Sequence, residues 1–263
     1  MRPESSLSFI LPTLNERENI IPVIESVLQA HPQIGQIIVV DDDSTDGTLE
    51  AVETHFLSNI LKGQLSVIHR TSEPGLTPSL RDAVKAVNTS HVGWMDCDGS
   101  TPIEALKMLI QKMGTHDLAV ASRFAFGGHQ KSVKSLGKDS FWEVVLSNIL
   151  NWCLDRIFHL PVTDLTSGFI VMKTSLAKQI DFRGCHGEYF IFLLLQAQRL
   201  GARLTEVPYA CGTRQHGHSK TFGSPRAILL NLYRYSRAFL VALWEARSRS
   251  NTPALSTLST PAQ

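Results

Sequence analysis

Val92-Gly93-Trp94-Met95-Asp96-Cys97-Asp98-Gly99-Ser100 is a run of four residues suited to a buried strand that breaks into two carboxylates one residue apart. A run this short, bounded by turn residues, reads as a strand rather than a helix. Alternate residues of a strand face opposite ways, but where the strand gives out into a loop both carboxylates can turn toward one point. Two hard oxygen donors there suit Mg²⁺ or Mn²⁺, which commonly bind through one or two carboxylates and the phosphates of a substrate. A lone Asp-x-Asp is as readily a solvated acidic turn, so its surroundings decide.

Those surroundings repeat one pattern. Short apolar runs at residues 7–11, 36–40, 65–69, 92–95 and 118–122 alternate with amphipathic stretches, which predicts an α/β fold with a mostly parallel sheet flanked by helices. The intervening helices are expected from near Asn19, with Pro22 tolerated in the first turn, from Asp46 as an N-cap, and over 79–87 and 103–113. In such sheets ligands bind beyond the carboxyl ends of the strands. The polar clusters 12–16, 41–46 and 96–100 all stand there. After Ser122 the rhythm changes: a basic Gly/His loop carries Lys131, Lys134 and Lys138, and a helical stretch is expected over 141–158. A strand near 170–173, a helix over 188–199 and a strand near 204–207 follow.

Composition removes other classes. With 263 residues, 43% of them hydrophobic, the chain can bury a full core. A net charge of +1 gives no global field for nucleic acid, which is therefore not expected as a partner. Four scattered cysteines, Cys97, Cys153, Cys185 and Cys211, have no Cys-x-x-Cys spacing and fit a reducing compartment. The first residues hold no apolar stretch long enough for a secretory signal, and a cytoplasmic protein is expected.

Four segments are decisive together: Pro12-Thr13-Leu14-Asn15-Glu16, Val40-Asp41-Asp42-Asp43-Ser44-Thr45-Asp46, Asp96-Cys97-Asp98, and Arg214-Gln215-His216-Gly217-His218-Ser219-Lys220. In this order they resemble family-2 glycosyltransferases of the GT-A fold, in particular the polyprenyl-phosphate (dolichyl-phosphate) mannosyltransferase branch. Asp164-Leu165-Thr166-Ser167-Gly168-Phe169 looks like that branch's Asp-x-Thr-x-Gly-Phe segment. The resemblance covers residues 7–222, and residues 1–222 are taken as the catalytic domain.

The resemblance implies a nucleotide sugar held by Pro12, Leu14, Glu16, Val40 and Asp42 around base and ribose, with Asp96, Cys97 and Arg123 nearer the sugar and diphosphate. It implies Mg²⁺ or Mn²⁺ on Asp96, Asp98 and Ser100, and a lid whose Arg214 and Lys220 close on the diphosphate. Asp98, Arg214 and Lys220 are then the catalytic residues of an inverting transfer of a hexose, mannose from GDP-mannose first, to a lipid phosphate. UDP-glucose is the second donor, because Gly99 after Asp98 also occurs in a related glucosyl-transferring branch. Ser147 is the best match for the residue binding the acceptor phosphate. Yet Glu143, one helical turn before it, stands where the branch often has a basic residue, so the acceptor side departs from the pattern.

Residues 226–249 carry five arginines and one acid, Glu245, a local charge of +4. Asn231, Arg234 and Arg237 interrupt the apolar run, so a spanning helix is not expected. An amphipathic helix over 223–249 lying on the cytoplasmic face of a membrane fits a polyprenyl acceptor; a helix packed on the catalytic domain fits the pattern equally. Residues 250–263, rich in Ser, Thr, Pro and Ala, are expected to be disordered. Two readings from other classes remain. One is a haloacid-dehalogenase-type phosphatase, whose strand also ends in Asp-x-Asp-Gly-Ser/Thr; the other is a non-catalytic binding subunit.

Overall fold

The computed structural model describes residues 7–30, 34–125, 156–184 and 187–210, with positions 152, 234, 236, 237, 240 and 241. Its elements are β1 (Leu7–Thr13), α1 (Arg17–Ala30), β2 (Ile34–Asp41), α2 (Thr48–His55), α3 (Leu57–Leu61), β3 (Leu65–His69) and α4 (Leu76–Ala86). They continue with β4 (His91–Trp94), α5 (Glu104–Lys112), β5 (Leu118–Ser122), β6 (Ile170–Lys173), α6 (Thr174–Ala177), α7 (Tyr189–Arg199) and β7 (Leu204–Pro208).

Each apolar run becomes a strand because its residues alternate between two cores. Phe9, Leu11, Ile37, Val39, Ala119 and Val171 pack on one face with Ile20 and Ile24 of α1 and Leu106 and Leu109 of α5. Ile10, Ile38, Val40, Trp94, Val120 and Ile170 pack on the other with Leu80 of α4 and Phe190 and Leu194 of α7. Helices on both faces bury both sides of every central strand, which is why these runs are apolar throughout. Full burial of such a side chain contributes about 1.5–3 kcal/mol. A hydrogen bond from Trp94 Nε1 to the Tyr189 hydroxyl, 2.9 Å, ties β4 to α7.

The strand order is β3-β2-β1-β4-β6-β5-β7. The chain winds outward from β1 to β3, then returns across β1 to place β4 on its other side. That reversal opens a crevice at the carboxyl ends of β1 and β4, the usual position for a ligand in an open α/β sheet. β6 is antiparallel to both β4 and β5, so the chain entering β6 arrives at that same end of the sheet. Gly93 permits this insertion: a Cβ there would sit 2.8 Å from the Ile170 carbonyl and 2.9 Å from Val171 Cγ2.

Several sequence-based limits shift: α4 starts at Leu76, three residues before the expected 79, and β1 and β2 each run longer than their apolar runs. α1 starts at Arg17, not near Asn19, so Pro22 lies in its second turn. α2 starts at Thr48 after Gly47, whose φ is 86°, and Asp46 stands one residue outside the cap position. Its carboxylate still reaches the helix start, accepting the Thr48 amide at 2.9 Å. Among the described residues no helix is long and apolar enough to cross a membrane. Arg234, Ser236, Arg237, Leu240 and Val241 are helical; the rest of the expected helix over 223–249, and the tail over 250–263, lie outside the described residues.

Candidate active site

The loops after β1 and β2 are stitched to each other. The Asn15 amide donates to Ser44 Oγ at 2.8 Å, and Asn15 Oδ1 accepts the Thr45 amide at 2.9 Å. Asn15 and Asp43 sit at φ 55° and 62°, a left-handed conformation that short polar side chains tolerate better than most. Glu16 and Arg17 amides donate to Thr48 Oγ1 and Asp46 Oδ2 at 3.0 and 3.1 Å. Burial raises the Asp46 carboxyl, but the Thr48 hydroxyl and the Arg17 and Thr48 amides outweigh it and hold it below the ordinary value. Asp41, fully buried, accepts the Ser44 amide and the Thr13 hydroxyl.

The expected nucleotide contacts fall around these loops in different ways. Leu14 is exposed, Pro12 and Glu16 are partly exposed, and Glu16 Oε2 accepts Asn19 Nδ2 at 2.8 Å. Val40 has no exposed side-chain surface. Asp42 is nearly as deep, and its partners were not legible in the sequence. Oδ1 pairs with Arg70 Nη1, and Oδ2 accepts the Gly75 amide at 2.6 Å. Arg70 was missed because one arginine after a strand is commonplace; its burial, 6% exposed, is what singles it out.

Beyond β4 the two carboxylates separate. Asp96 is exposed, whereas Asp98 is 6% exposed and Oδ1 accepts the amide and hydroxyl of Ser100 at 2.9 and 2.6 Å. Gly99, at φ 72°, makes the tight turn that folds Ser100 back. The Cys97 thiol points away into the apolar cluster that holds Met95 and Phe169. Among the described residues no group of three or more His, Cys, Asp or Glu gathers to hold a metal ion. Asp96, Asp98 and Ser100 therefore offer two carboxylates and a hydroxyl. That set fits Mg²⁺ or Mn²⁺ whose other positions come from phosphate and water.

The segment entering β6 closes the far side. Fully buried Asp164 accepts Arg123 Nε and Nη2, each at 2.8 Å, and the Arg123 amide at 3.0 Å. Thr166 Oγ1 takes a further Nη2 bond at 2.8 Å. The Asp-x-Thr pair thus fixes the arginine after β5 by a bidentate fork. Two residues on, Gly168 adopts φ 72°, and a Cβ there would lie 4.0 Å from Asp96 Oδ2. Thr163 anchors the segment from the other side: its amide donates to Glu206 Oε2 at 2.7 Å, and its hydroxyl lies 3.2 Å from Ser122 Oγ. Lys131, Lys134, Lys138, Glu143, Ser147, Arg214 and Lys220 lie outside the described residues.

Comparison with known proteins gives the family and the fold. The family described as Glycosyl transferase family 2 matches residues 8–180. The polyprenol monophosphomannose synthase of Mycolicibacterium smegmatis is 30% identical over 257 residues, spanning 95% of this chain and 90% of its own. The undecaprenyl-phosphate mannosyltransferase of Micrococcus luteus is 28% identical, spanning 90% and 95%. The dolichol-phosphate mannosyltransferase of Pyrococcus furiosus, also 28% identical, is matched over 59% of its length. Among solved structures, glucosyl-3-phosphoglycerate synthase from Mycobacterium tuberculosis, in complex with Mn²⁺, UDP-glucose and phosphoglyceric acid, superposes with a TM-score of 0.66. It is 18% identical, over 91% of this chain and 80% of that one, a likeness of fold.

Proposed function

The chain belongs to glycosyl transferase family 2, and from that membership we propose that it moves a mannosyl group from GDP-mannose to a polyprenyl phosphate. The observation that carries this reading is the near end-to-end match, 95% of this chain, to a polyprenol monophosphomannose synthase. UDP-glucose stays the second donor; the glucosyl synthase of the same fold is only 18% identical. The family membership takes the place of the phosphatase alternative.

In the proposed reaction an oxygen of the acceptor phosphate attacks the anomeric carbon while the bond to the nucleoside diphosphate breaks. The electron pair leaves with the diphosphate, and the configuration inverts. The acceptor is already an anion at neutral pH, so positioning and charge stabilisation supply most of the rate. Asp96, Asp98 and Ser100 would hold Mg²⁺ or Mn²⁺, which supplies Lewis-acid neutralisation of the departing diphosphate. Pro12, Leu14, Glu16 and Asp42 line the nucleotide side, and Arg123, fixed by Asp164, faces the donor from β5. Arg214 and Lys220, by the family resemblance, would supply cations to the diphosphate and help exclude water. A lipid acceptor would bring the enzyme to the cytoplasmic face of a membrane, with the helix over 223–249 on its surface and Ser147 at the acceptor phosphate.

The test is transfer from radiolabelled GDP-mannose or UDP-glucose, with Mn²⁺, to undecaprenyl phosphate in vesicles. Label entering the organic phase from GDP-mannose is expected. Nucleotide binding without lipid-linked label from either donor would remove the lipid acceptor and leave Glu143 as its explanation.

A further inference from the structure

Resting on the nucleotide-sugar reading above, we infer that Arg70 is a positioning residue that sets the base wall of the donor pocket through Asp42. It follows the last residue of β3, 6% exposed, and it spends its guanidinium on the protein. Nη1 pairs with Asp42 Oδ1 and donates to Ser79 Oγ at 3.0 Å; Nε donates to Asp82 Oδ2 at 3.0 Å. Nη2 donates to the carbonyls of Ser72 and Glu73 at 3.1 and 3.0 Å. All three nitrogens are engaged, so Arg70 acts on a ligand only through what it holds.

What it holds is the wall itself. Asp42 is pinned between the Arg70 fork and the Gly75 amide, so each carboxylate oxygen has one lone pair committed and one remaining. Residues 72–75 form the adjoining loop, with Glu73 at φ 48° and Gly75 at φ 138°. Glu73 sits in the sparsely populated left-handed region, and the Ser72 and Glu73 carbonyls bonded to Nη2 hold the loop together with the Gly75 amide on Asp42 and the Ser79 hydroxyl on the Gly75 carbonyl. The Arg70 amide also donates to the Asp41 carbonyl at 2.8 Å, locking the loop to β2. A lysine could keep the charge but not this planar fork.

The clamp also extends outward. Asp82 on α4, 35% exposed, accepts Arg70 on one oxygen and Lys85 Nζ at 3.1 Å on the other. Burial raises the Asp82 carboxyl, but the Arg70 and Lys85 bonds outweigh it and hold it below the ordinary value. Asp82 thus steadies the guanidinium from the side away from the pocket.

The experiment is calorimetric titration of Arg70→Lys, Asp82→Asn and the unaltered protein with GDP, UDP and pyrophosphate, each with Mn²⁺, alongside thermal melts. Loss of the fork should weaken the preferred nucleoside diphosphate about tenfold, the equivalent of one charge-assisted hydrogen bond. It should shrink the GDP-to-UDP preference and leave pyrophosphate affinity unchanged, with Asp82→Asn changing in the same direction by less. Equal weakening of all three ligands, or a lower melting temperature with unchanged affinities, would assign Arg70 to fold stability alone. If Arg70→Lys loses its cooperative melt, Asp82→Asn decides: an unaltered GDP-to-UDP ratio overturns the inference. Failure of the unaltered protein to bind either nucleotide would instead remove the donor reading, and this inference with it.

Discussion

Residues 41–43 at the end of β2 and residues 96–98 after β4 are both acidic clusters at strand ends on either side of β1. In the first, Asp41 and Asp42 are buried and bonded to the protein, to Ser44 and Thr13 in one case and to Arg70 and Gly75 in the other. In the second, Asp98 is buried against Ser100 while Asp96 stands exposed toward the crevice beside Gly168. One cluster is spent on the protein itself; the other leaves a carboxylate on the surface. Acidic residues at a strand end mark the place of a site, and the partners that reach them from elsewhere in the chain decide their task.

Removing a carboxylate from each cluster should therefore produce opposite failures. Asp98→Ala is expected to lower transfer about 10³-fold, as loss of a group that stabilises the departing charge does. Its urea midpoint should move far less than its rate, since the bonds to the Ser100 amide and hydroxyl tie Asp98 to its own loop. Initial rates and urea midpoints on the same preparation check both; near-full activity would erase the metal assignment. Asp42→Ala should fail the other way. It leaves a buried guanidinium with one carboxylate, Asp82, instead of two, and should destabilise by about 3 kcal/mol. A urea midpoint equal to that of the unaltered protein would show that the two clusters do not differ as argued.

Much of this was legible in the sequence, and the exceptions have physical causes. β3, β5 and β6 have the limits that their apolar runs imply, because a strand buried on both faces ends where polar residues begin. α1 began two residues early because the Glu16 and Arg17 amides find acceptors in Thr48 and Asp46, 32 and 29 residues away, that no local pattern reveals. α3 and α6 are five and four residues long, too short to show a period. The site was legible as a set of strand ends. Its clamps were not: Arg70 meets Asp42 across 28 positions and Arg123 meets Asp164 across 41. The Asp-x-Thr-x-Gly-Phe segment was recognised by resemblance; that its Asp and Thr hold an arginine and its Gly turns at φ 72° beside Asp96 required the fold.

Arg214 sharpens the division between binding and chemistry. If its cation meets the diphosphate as the bond breaks, Arg214→Ala should lower kcat about thirtyfold while weakening GDP binding only a fewfold, because the interaction is strongest in the transition state. Comparing kcat with a calorimetric Kd separates the two; an unchanged kcat removes Arg214 from the mechanism.

The smallest effect belongs to the opposite end of the sheet, where charge has no ligand to serve. Asp117, beside the start of β5, accepts bonds from the Arg203 side chain and then from Lys173, with the Arg203 amide adding a third. Together they hold its carboxyl well below the ordinary value of 3.8. A depressed folded-state value means the ion pairs contribute fully above the unfolded value and are lost as pH falls below it toward the depressed one. Arg203 and Lys173 are 62% and 41% exposed, so solvent screening keeps the contribution small. Asp117→Asn should therefore be less stable than the unaltered protein at pH 7, and the gap should narrow as the pH is taken below about 4. Urea midpoints at pH 7, 4 and 3 measure it, with kcat at pH 7 unchanged. A gap that stayed constant with pH would mean that packing rather than charge joins β5 to β7 at this end, and a reduced kcat would mean that the two ends of the sheet are coupled.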